Sequence, residues 1–195
     1  MKKLFKLGVI GCGFMAHAIL KGVVLSDFLR AKKVVVSDTS EEALDKAADL
    51  GIQCTTNNKF LVENSEYVLI AVKPQSFAAV AESLEGAVPE KVISIMAGVK
   101  RDKIKAAIGR SALVARCMPN LPCSIGSGVI GVDMTDFNSS QQDIEFISGV
   151  LNCLGTVLSV REEKMDAVTG ISGSGPAYVF MFIDLSLIHI SEPTR

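Results

Sequence analysis

Short apolar runs alternate with amphipathic segments along most of the chain, and each apolar run has the length of a single strand. Valine, isoleucine and leucine occupy consecutive positions in these runs, as is typical of strands in a parallel sheet that helices cover on both faces. Five runs lie in the first part of the chain, at residues 4–10, 32–38, 66–72, 91–96 and 112–118. Helical patterns follow four of them, at residues 14–26, 40–51, 74–84 and 101–109. The alternation predicts an α/β fold with a doubly wound, Rossmann-type parallel sheet.

A loop rich in proline and glycine follows at 118–128, and the rhythm of strands and helices changes beyond residue 161. The next elements that the pattern predicts are a strand, a helix and a strand, at residues 129–134, 139–152 and 156–160. A helix, a break of glycines and serines, and a very apolar helix that begins near Pro176 follow them. We therefore expect a Rossmann domain over 1–161 and the beginning of an α-helical domain over 162–184.

The last stretch, LSLIHISEPTR at 185–195, does not continue this organisation. It is β-branched, contains serine and proline, and offers no capping signal for the apolar helix that precedes it. We expect it to be a non-native tail and leave it out of the functional argument.

Composition and charge exclude several classes of function. The chain has 49% hydrophobic residues and nearly balanced charge, with 20 basic and 21 acidic side chains. No basic stripe with interleaved aromatic residues occurs, so a nucleic acid is not expected as a partner. The apolar runs are strand-sized, so no membrane span is expected either. The excess of apolar residues is typical of a chain with a subunit interface.

The five cysteines, at positions 12, 54, 117, 123 and 153, show no CxxC spacing and no neighbouring histidine cluster. Their odd number and apolar surroundings favour buried, reduced thiols, and hence a cytoplasmic location. No metal site is expected. The two histidines have no partner at ligand spacing and receive no role.

The stretch GVIGCGFMA carries the first candidate site. Gly11, Gly13 and Ala16 match G-x-G-x-x-G/A between a predicted strand and a predicted helix. The first glycine permits a tight turn, the second lets backbone approach a pyrophosphate, and the helix N-terminus favours negative charge. The other interpretation is a strand-to-helix turn with no ligand. The context of a βαβ unit favours dinucleotide binding.

The end of the second predicted strand leaves the choice of dinucleotide open. An acidic residue about 20 positions beyond the glycines usually holds the ribose 2′-hydroxyl. Asp38 lies somewhat later, after a longer first helix, and it favours NADH. Ser37, Thr39 and Ser40 offer hydroxyl groups and a helix N-terminus that suit a 2′-phosphate, although the loop has no arginine. NADPH or NADH therefore remains the expected cofactor.

Three further segments carry candidate polar groups. Lys73 follows a central strand and would stand beside the cofactor, or would be a solvated lysine at a strand end. Asn120 follows another strand and would bind a carboxamide or the substrate, or belong to a rigid loop between prolines. The segment 170–178, GISGSGPAY, would receive a carboxylate through free backbone N–H groups, or would be a tight turn between helices.

Taken together, the stretches GVIGCGFMAHAILKG, AVKPQ, AGV, RCMPNLP and DAVTGISGSGPAYVFMF resemble pyrroline-5-carboxylate reductases in order and spacing over residues 5–184. The resemblance implies hydride transfer from NAD(P)H to the C=N carbon of 1-pyrroline-5-carboxylate, which yields L-proline in the last step of its biosynthesis. The resemblance also implies that the protein mainly positions the two reactants and excludes water, and it assigns no catalytic side chain.

The resemblance also implies where the ligands bind. The residues near the cofactor would be Gly11, Gly13, Phe14, Met15, Ser37, Asp38, Thr39, Ser40, Ala71, Val72, Lys73, Pro74, Met118, Pro119 and Asn120. The loop that begins the substrate side would be Ser172, Gly173, Ser174, Gly175 and Pro176.

The chain departs from the family in two respects. Leu121 stands where threonine is usual, which removes a hydroxyl near the nicotinamide region. The family continues into a long helical domain that forms a homodimer or a higher homo-oligomer in the full-length protein, and that part is expected to be missing here. Two alternatives stay open: a non-catalytic dinucleotide-binding fragment, and a related β-hydroxyacid dehydrogenase with Lys164 as its candidate lysine.

Overall fold

One eight-stranded sheet with helices on its faces organises the chain. The structure is a computed structural model, and it describes residues 3–190. The strands are β1 Phe5–Ile10, β2 Val34–Ser37, β3 Gln53–Thr55, β4 Ser65–Ile70, β5 Lys91–Ser94, β6 Leu113–Met118, β7 Gly128–Asp133 and β8 Gly155–Ser159. The α-helices are α1 Phe14–Leu25, α2 Glu41–Ala48, α3 Asn58–Asn64, α4 Phe77–Ser83, α5 Arg101–Ile108, α6 Gln141–Asn152, α7 Met165–Val168 and α8 Gly175–Ile190.

The strand order is β3-β2-β1-β4-β5-β6-β7-β8, which is the doubly wound arrangement expected from the sequence. Every neighbouring pair is parallel except β6 and β7, which run antiparallel. The exception has a simple cause. A parallel connection needs a crossover of about a dozen residues or more, and the segment 119–127 between these strands is too short for one.

The core lies on both faces of the sheet because successive strand residues point to opposite sides. Val34 and Val36 of β2 belong to the cluster under α1, α2 and α6, whereas Val35 between them belongs to the cluster under α3, α4 and α5. All three are fully buried. This explains the continuous apolar runs from which the strands were predicted.

The close approach of two side chains explains the glycine inside β1. A Cβ atom at Gly8 would lie 2.4 Å from Ser65 Oγ and 2.5 Å from a methyl group of Leu61. Glycine is therefore needed for α3 and the start of β4 to pack against the first strand.

The strand β3 and the helix α3 were not predicted from the sequence. Strand β3 has only three residues, and Gln53 at its start is exposed, so it lacks a long apolar run. Helix α3 begins after Asn57, whose side-chain oxygen accepts a hydrogen bond from Phe60 N–H at 2.8 Å. The capping asparagine was the signal in the sequence from which this helix could have been predicted.

The glycine- and serine-rich break at 170–175 is helical. This corrects the expectation of a loop at 172–176. It forms a π-helical turn over Thr169–Gly173, and Ser174 N–H donates to Thr169 O at 2.9 Å. The Ser174 hydroxyl donates to the same carbonyl at 3.2 Å. Because the backbone bonds within the turn, the chain passes from α7 into α8 as a nearly continuous helix.

Helix α8 runs on to Ile190, so the segment predicted to be a non-native tail continues the helix as far as that residue. Residues 191–195 lie outside the described residues. The expected boundary near residue 161 stays a prediction: β8 ends at Ser159, and a 3₁₀ turn over Glu162–Lys164 leads into α7.

Over residues 3–190, no helix combines the length and apolar character needed to cross a membrane. The five cysteines are free thiols, of which Cys12, Cys117 and Cys123 are buried. Within the same part of the chain, no group of histidine, cysteine, aspartate and glutamate side chains is arranged to hold a metal ion.

Candidate functional site

The turn after β1 is held in a conformation that requires glycine. Gly11 has a φ of +93°, and its N–H donates to Ser37 O at 2.7 Å. A Cβ atom at this position would lie 2.8 Å from Val72 Cγ1 and 2.9 Å from Ala71 O. Gly11 therefore brings the ends of β1, β2 and β4 together at one edge of the sheet.

The second glycine leaves open space in front of α1. Apart from Gly13 itself and the residues beside it in the chain, a Cβ atom at this position would have no described atom within 4 Å. In the described chain no side chain caps the N-terminus of α1, and its first turn has no acidic residue. The N–H groups of that turn are therefore available to an anion, which the helix dipole also favours.

Asp38 joins the end of β2 to the glycine turn. Its Oδ2 atom accepts a hydrogen bond from Cys12 N–H at 2.6 Å, and its Oδ1 atom accepts one from Ser40 N–H at 2.9 Å. Two charge-assisted bonds to backbone fix the carboxylate at the edge of the glycine turn.

A cleft of about 720 Å³ opens at this edge, and eight of the predicted cofactor residues line it. These are Gly11, Gly13, Ser37, Asp38, Thr39, Ala71, Val72 and Lys73. The sequence analysis missed seven further lining residues: Ile10, Thr56, Asn58, Ser76, Ala79, Val80 and Ser83. The last four share one face of the segment around α4, so their helical spacing was a signal that could have found them.

Three side chains form a hydrogen-bonded row along this cleft. The Ser37 hydroxyl donates to Asn58 Oδ1 at 2.6 Å, and Asn58 Nδ2 donates to Ser83 Oγ at 2.8 Å. Ser83 in turn donates to Val80 O at 2.6 Å. The row connects β2, α3 and α4, and it gives the cleft a polar surface beside the apolar Val80.

On the other side of the glycine turn, Phe14 and Ser40 line a second cleft of about 460 Å³ that also contains Cys12. Burial first, and then the neighbouring Asp38 and Cys54, raise the pKa of the Cys12 thiol to about 11. Cys12 is therefore a protonated, unreactive thiol at neutral pH. Two other residues were predicted to lie near the cofactor. Met15 packs against the core, and Pro74 begins an exposed 3₁₀ turn.

The residues predicted after β6 lie elsewhere on the edge, against the C-terminal segment. Asn120 Nδ2 donates to Ser172 Oγ at 3.1 Å, and Asn120 Oδ1 accepts from Val129 N–H at 3.1 Å. A Cβ atom at Gly173 would lie 2.7 Å from Met118 Cε. The structure thus brings together two predicted groups, 118–120 and 172–173, but neither lines the cleft beside Asp38.

Ion pairs attach the start of the C-terminal segment to the sheet. Arg116 of β6 is 3% exposed and places its guanidinium 3.1 Å from Asp166 and 3.6 Å from Glu162. Glu162 N–H donates to Asp133 at 2.6 Å. Burial raises the pKa of the Asp133 carboxyl, but hydrogen bonds from Thr135 and the Glu162 backbone, together with the charge of Arg101, outweigh it and hold the pKa below its usual range.

Lys164 and the residues predicted for the substrate side lie apart from the two clefts beside the glycine turn. Lys164 is exposed at the end of its 3₁₀ turn and lines neither cleft beside the glycine turn. The N–H groups of Ser174 and Ala177 are bonded to carbonyls within the helical segment, so they are not available to a carboxylate.

The residues at the β1–α1 turn fit a dinucleotide. Gly13 leaves the approach open, the first turn of α1 carries N–H groups that suit a diphosphate, and the Asp38 carboxylate follows β2 and lines the same cleft. The fold and this site define a nucleotide-binding α/β protein of the Rossmann class.

Comparison with known proteins gives the family. Residues 6–98 match the family described as NADP oxidoreductase coenzyme F420-dependent, and residues 162–187 match the family described as pyrroline-5-carboxylate reductase dimerisation. The chain is 34% identical over 182 residues to pyrroline-5-carboxylate reductase of Methanosarcina acetivorans, an alignment that covers 92% of this chain and 67% of the relative. The chain therefore belongs to the pyrroline-5-carboxylate reductase family, whose members are oxidoreductases.

Solved structures agree with this assignment. A pyrroline-5-carboxylate reductase from Coxiella burnetii superposes with a TM-score of 0.83 at 26% identity, covering 98% of this chain and 73% of that one. The Plasmodium falciparum pyrroline carboxylate reductase, solved with NADP bound, shares the fold with a TM-score of 0.83 at 24% identity, covering 99% of this chain and 72% of that one. The chain spans about two thirds of the length of the Methanosarcina relative.

Proposed function

We propose that this chain reduces 1-pyrroline-5-carboxylate to L-proline with NAD(P)H, as the last step of proline biosynthesis. The observation that carries the proposal is the open, uncapped N-terminus of α1 beside the cleft lined by Asp38, in a chain of this family. The reduced nicotinamide dinucleotide, when bound, supplies the hydride that adds to the C=N carbon.

The chain's own residues would bind and orient the reactants. The first-turn N–H groups of α1 would hold the diphosphate, Asp38 the adenosine ribose, and the α4 face with Val80 the adenine. We also propose that Phe14, Met15, Pro74, Met118, Pro119 and Asn120 lie near the bound dinucleotide.

No side chain is proposed as a general acid or base. An imine nitrogen that is already protonated needs no further proton during hydride addition, so orientation and exclusion of water account for the chemistry. The segment Ser172–Pro176 would begin the substrate side. The hydrogen bond from Asn120 to Ser172 supports this role, because it fixes the segment beside the carboxyl end of β6.

A second copy of the chain is the proposed partner. Helix α8 exposes apolar side chains on all of its faces, including Tyr178, Phe180 and Phe182 at 60%, 57% and 72% exposure. A surface of this kind is covered in a stable protein, and residues 162–187 match the dimerisation family. The free thiols support a cytoplasmic location, which is proposed on that ground.

The test is to incubate the purified chain with 1-pyrroline-5-carboxylate and NADH or NADPH, follow the loss of reduced nicotinamide absorbance, and identify proline by mass spectrometry. Gly13→Val is the negative control, since the valine side chain would fill the space in front of α1. We expect turnover by the unchanged chain and none by Gly13→Val. Turnover that survives in Gly13→Val would show that the activity does not belong to this site.

Two other outcomes correspond to the alternative functions. Oxidation of a 3-hydroxy acid with no reduction of the imine would favour a β-hydroxyacid dehydrogenase. Dinucleotide binding without turnover of either substrate would favour a binding fragment, and would overturn the proposed activity for this chain.

A further inference from the structure

A row of buried polar side chains crosses the sheet on the face that carries α7. Ser94 of β5, Arg116 of β6 and Asp133 of β7 are neighbours in the register of adjacent strands, and each is at most 3% exposed. Gly131 lies two residues before Asp133 and so shares its face, and a Cβ atom there would lie 3.0 Å from Val168 Cγ1 of α7. Burying a charge is costly unless the charge is paired, so an arginine within this sheet needs an explanation.

The guanidinium of Arg116 contacts two carboxylates of the C-terminal segment, which we define as residues 162–190. Its Nη2 atom donates to Asp166 Oδ1 at 3.1 Å, and its Nη1 atom lies 3.6 Å from Glu162 Oε1. Asp166 lies in α7, and Glu162 begins the 3₁₀ turn that leads into that helix. Asp133 holds the backbone of the same turn, since it accepts a hydrogen bond from Glu162 N–H at 2.6 Å. The buried row therefore holds the first two turns of the segment against the sheet.

Stability alone does not explain the buried arginine. An apolar side chain of similar volume is often as stabilising as a buried ion pair. The Nη1 atom of Arg116 is buried and has no hydrogen-bond partner among the described residues, which is unfavourable. Without this arginine, Glu162 would keep the Arg101 backbone N–H at 2.8 Å, and Asp133 would keep its backbone donors. The side chain of Asp166 is 71% exposed to water, so no carboxylate would be left buried and unpaired.

The place at which the segment is held determines the direction of α8. The Thr169 hydroxyl donates to Met165 O at 2.9 Å, and Ser174 N–H donates to Thr169 O at 2.9 Å, so the backbone is bonded from α7 into α8. A position that is fixed at Asp166 is therefore passed on to Ser172 and to the helix beyond it. The 16 residues of α8 make it about 24 Å long, so a rotation of about 10° at its base would displace its far end by about 4 Å.

We propose that Arg116 is a positioning residue: it fixes the direction in which the C-terminal segment leaves the sheet, and so places the turn at Ser172 and helix α8 for the second copy of the chain. Arg116 lines neither of the clefts beside the glycine turn, so it acts through Asp166 and Glu162. The inference rests on the proposed function in one respect, the second copy as the partner of α8. It does not depend on turnover or on which dinucleotide the chain binds.

The test is hydrogen–deuterium exchange on the purified chain, with Arg116→Met as the variant and Lys105→Met as the matched control. Lys105 pairs with Asp136 at 2.6 Å, in the turn after β7 and outside the C-terminal segment. In Arg116→Met, the amides of 168–175 should exchange at least about tenfold faster, while those of β1 and β4 and the dissociation constant for NADH should change less than about twofold. Self-association in sedimentation velocity should weaken at least about tenfold, because α8 loses its fixed orientation. Lys105→Met should change each quantity less than about twofold.

Asp166→Asn tests the same contact from its exposed side, where a substitution leaves the core intact. It should speed exchange over 168–175 by at least about threefold. In the Arg116→Met background it should add less than about a twofold effect, because the contact is already lost.

The outcomes separate this inference from the proposed function. An increase in exchange of the same size in β1, in β4 and over 168–175 overturns the inference, because it shows a general loss of stability. Unchanged exchange over 168–175 in both Arg116→Met and Asp166→Asn overturns it, and so does an equal increase in Lys105→Met. An unchanged chain that stays monomeric overturns the part that concerns the second copy. An unchanged chain that binds no dinucleotide overturns the proposed function, whereas faster exchange confined to 168–175 in Arg116→Met would still support the inference.

Discussion

Asn120 and Ser172, which are 52 positions apart in the chain, are joined by a hydrogen bond of 3.1 Å from Nδ2 to Oγ. The bond links the segment after β6 to the π-helical turn that precedes α8. It is a contact between the segment that follows β6 and the part of the chain that matches the dimerisation family.

Ser172→Ala should lower the free energy of unfolding by about 1 kcal/mol, because it leaves Asn120 Nδ2 without this acceptor. Urea denaturation measures the change. Ser186→Ala is the matched control: its hydroxyl donates only within its own helix, to Ile183 O at 2.9 Å, and its loss should have little effect. An equal loss in the two variants would contradict a role for the Asn120 contact.

The two glycines of the β1–α1 turn should respond differently to alanine. Gly11→Ala forces a side chain into a φ of +93° and against Val72, so it should lower the free energy of unfolding by about 2–3 kcal/mol. Gly13→Ala meets no described atom within 4 Å, so its stability should change little while its affinity for a dinucleotide falls at least about tenfold.

Thermal unfolding and dinucleotide titration of the same two variants separate these effects. A stable Gly13→Ala variant with unchanged affinity would show that the space in front of α1 is not where the diphosphate binds. A Gly11→Ala variant as stable as the parent would contradict the packing against β4.

The carboxyl of Asp143 should make stability depend on pH in acid. Burial raises its pKa, but hydrogen bonds from Lys91 at 2.6 Å, from Tyr67 and from Ser140 outweigh burial and hold the pKa below its usual range. Because the folded-state pKa is depressed, the stabilisation is present above the ordinary pKa near 3.8 and is lost as the pH falls through the folded-state value.

Asp143→Asn should therefore cost about 2 kcal/mol at neutral pH, and the gap to the parent should narrow between about pH 5 and pH 3. Urea denaturation across that range measures it. Glu42→Gln, which breaks an exposed pair with Lys46, serves as the control. Lys46 also holds the pKa of Glu42 below its usual range, but solvent screens this exposed pair, so the variant should change the pH profile much less than Asp143→Asn. A gap that stays constant with pH would refute the assignment to Asp143.

Self-association should depend on α8. Phe182 is 72% exposed in an apolar helix, so Phe182→Glu should weaken dimerisation at least about tenfold in sedimentation velocity. Ile125→Glu changes an equally exposed apolar side chain, at 78%, in the turn after β6 and should leave association unchanged. If the two variants associate equally, α8 is not the interface.

Much of the fold could be predicted because its signals are local. Consecutive apolar residues in β2 follow from burial on both faces, and the glycine at 11 reports a turn with a positive φ that favours glycine. Asp38 was predicted as a cofactor residue for the same reason, since it stands at the end of a predicted strand. The short β3 carried no such signal. The antiparallel direction of β7 depended on the short connection between β6 and β7.

Other features required the tertiary structure because they join distant parts of the chain. The face of α4 became part of the cleft only when α4 packed beside β1 and β4. Hydrogen bonds join Ser37 to Asn58 and Cys12 to Asp38, and an ion pair joins Lys46 to Glu42. From the sequence alone, the same hydroxyls remained equally good partners for a phosphate.

The sequence by itself determined the class of fold, the dinucleotide turn and the resemblance to a family, because each depends on residue types at short spacing. The tertiary structure decided which polar groups are already bonded, which strand turns antiparallel, and that the glycine- and serine-rich break is helical. The physical reason is that hydrogen-bond partners and packing neighbours are chosen in space, where residues separated by tens of positions compete for the same donor or acceptor.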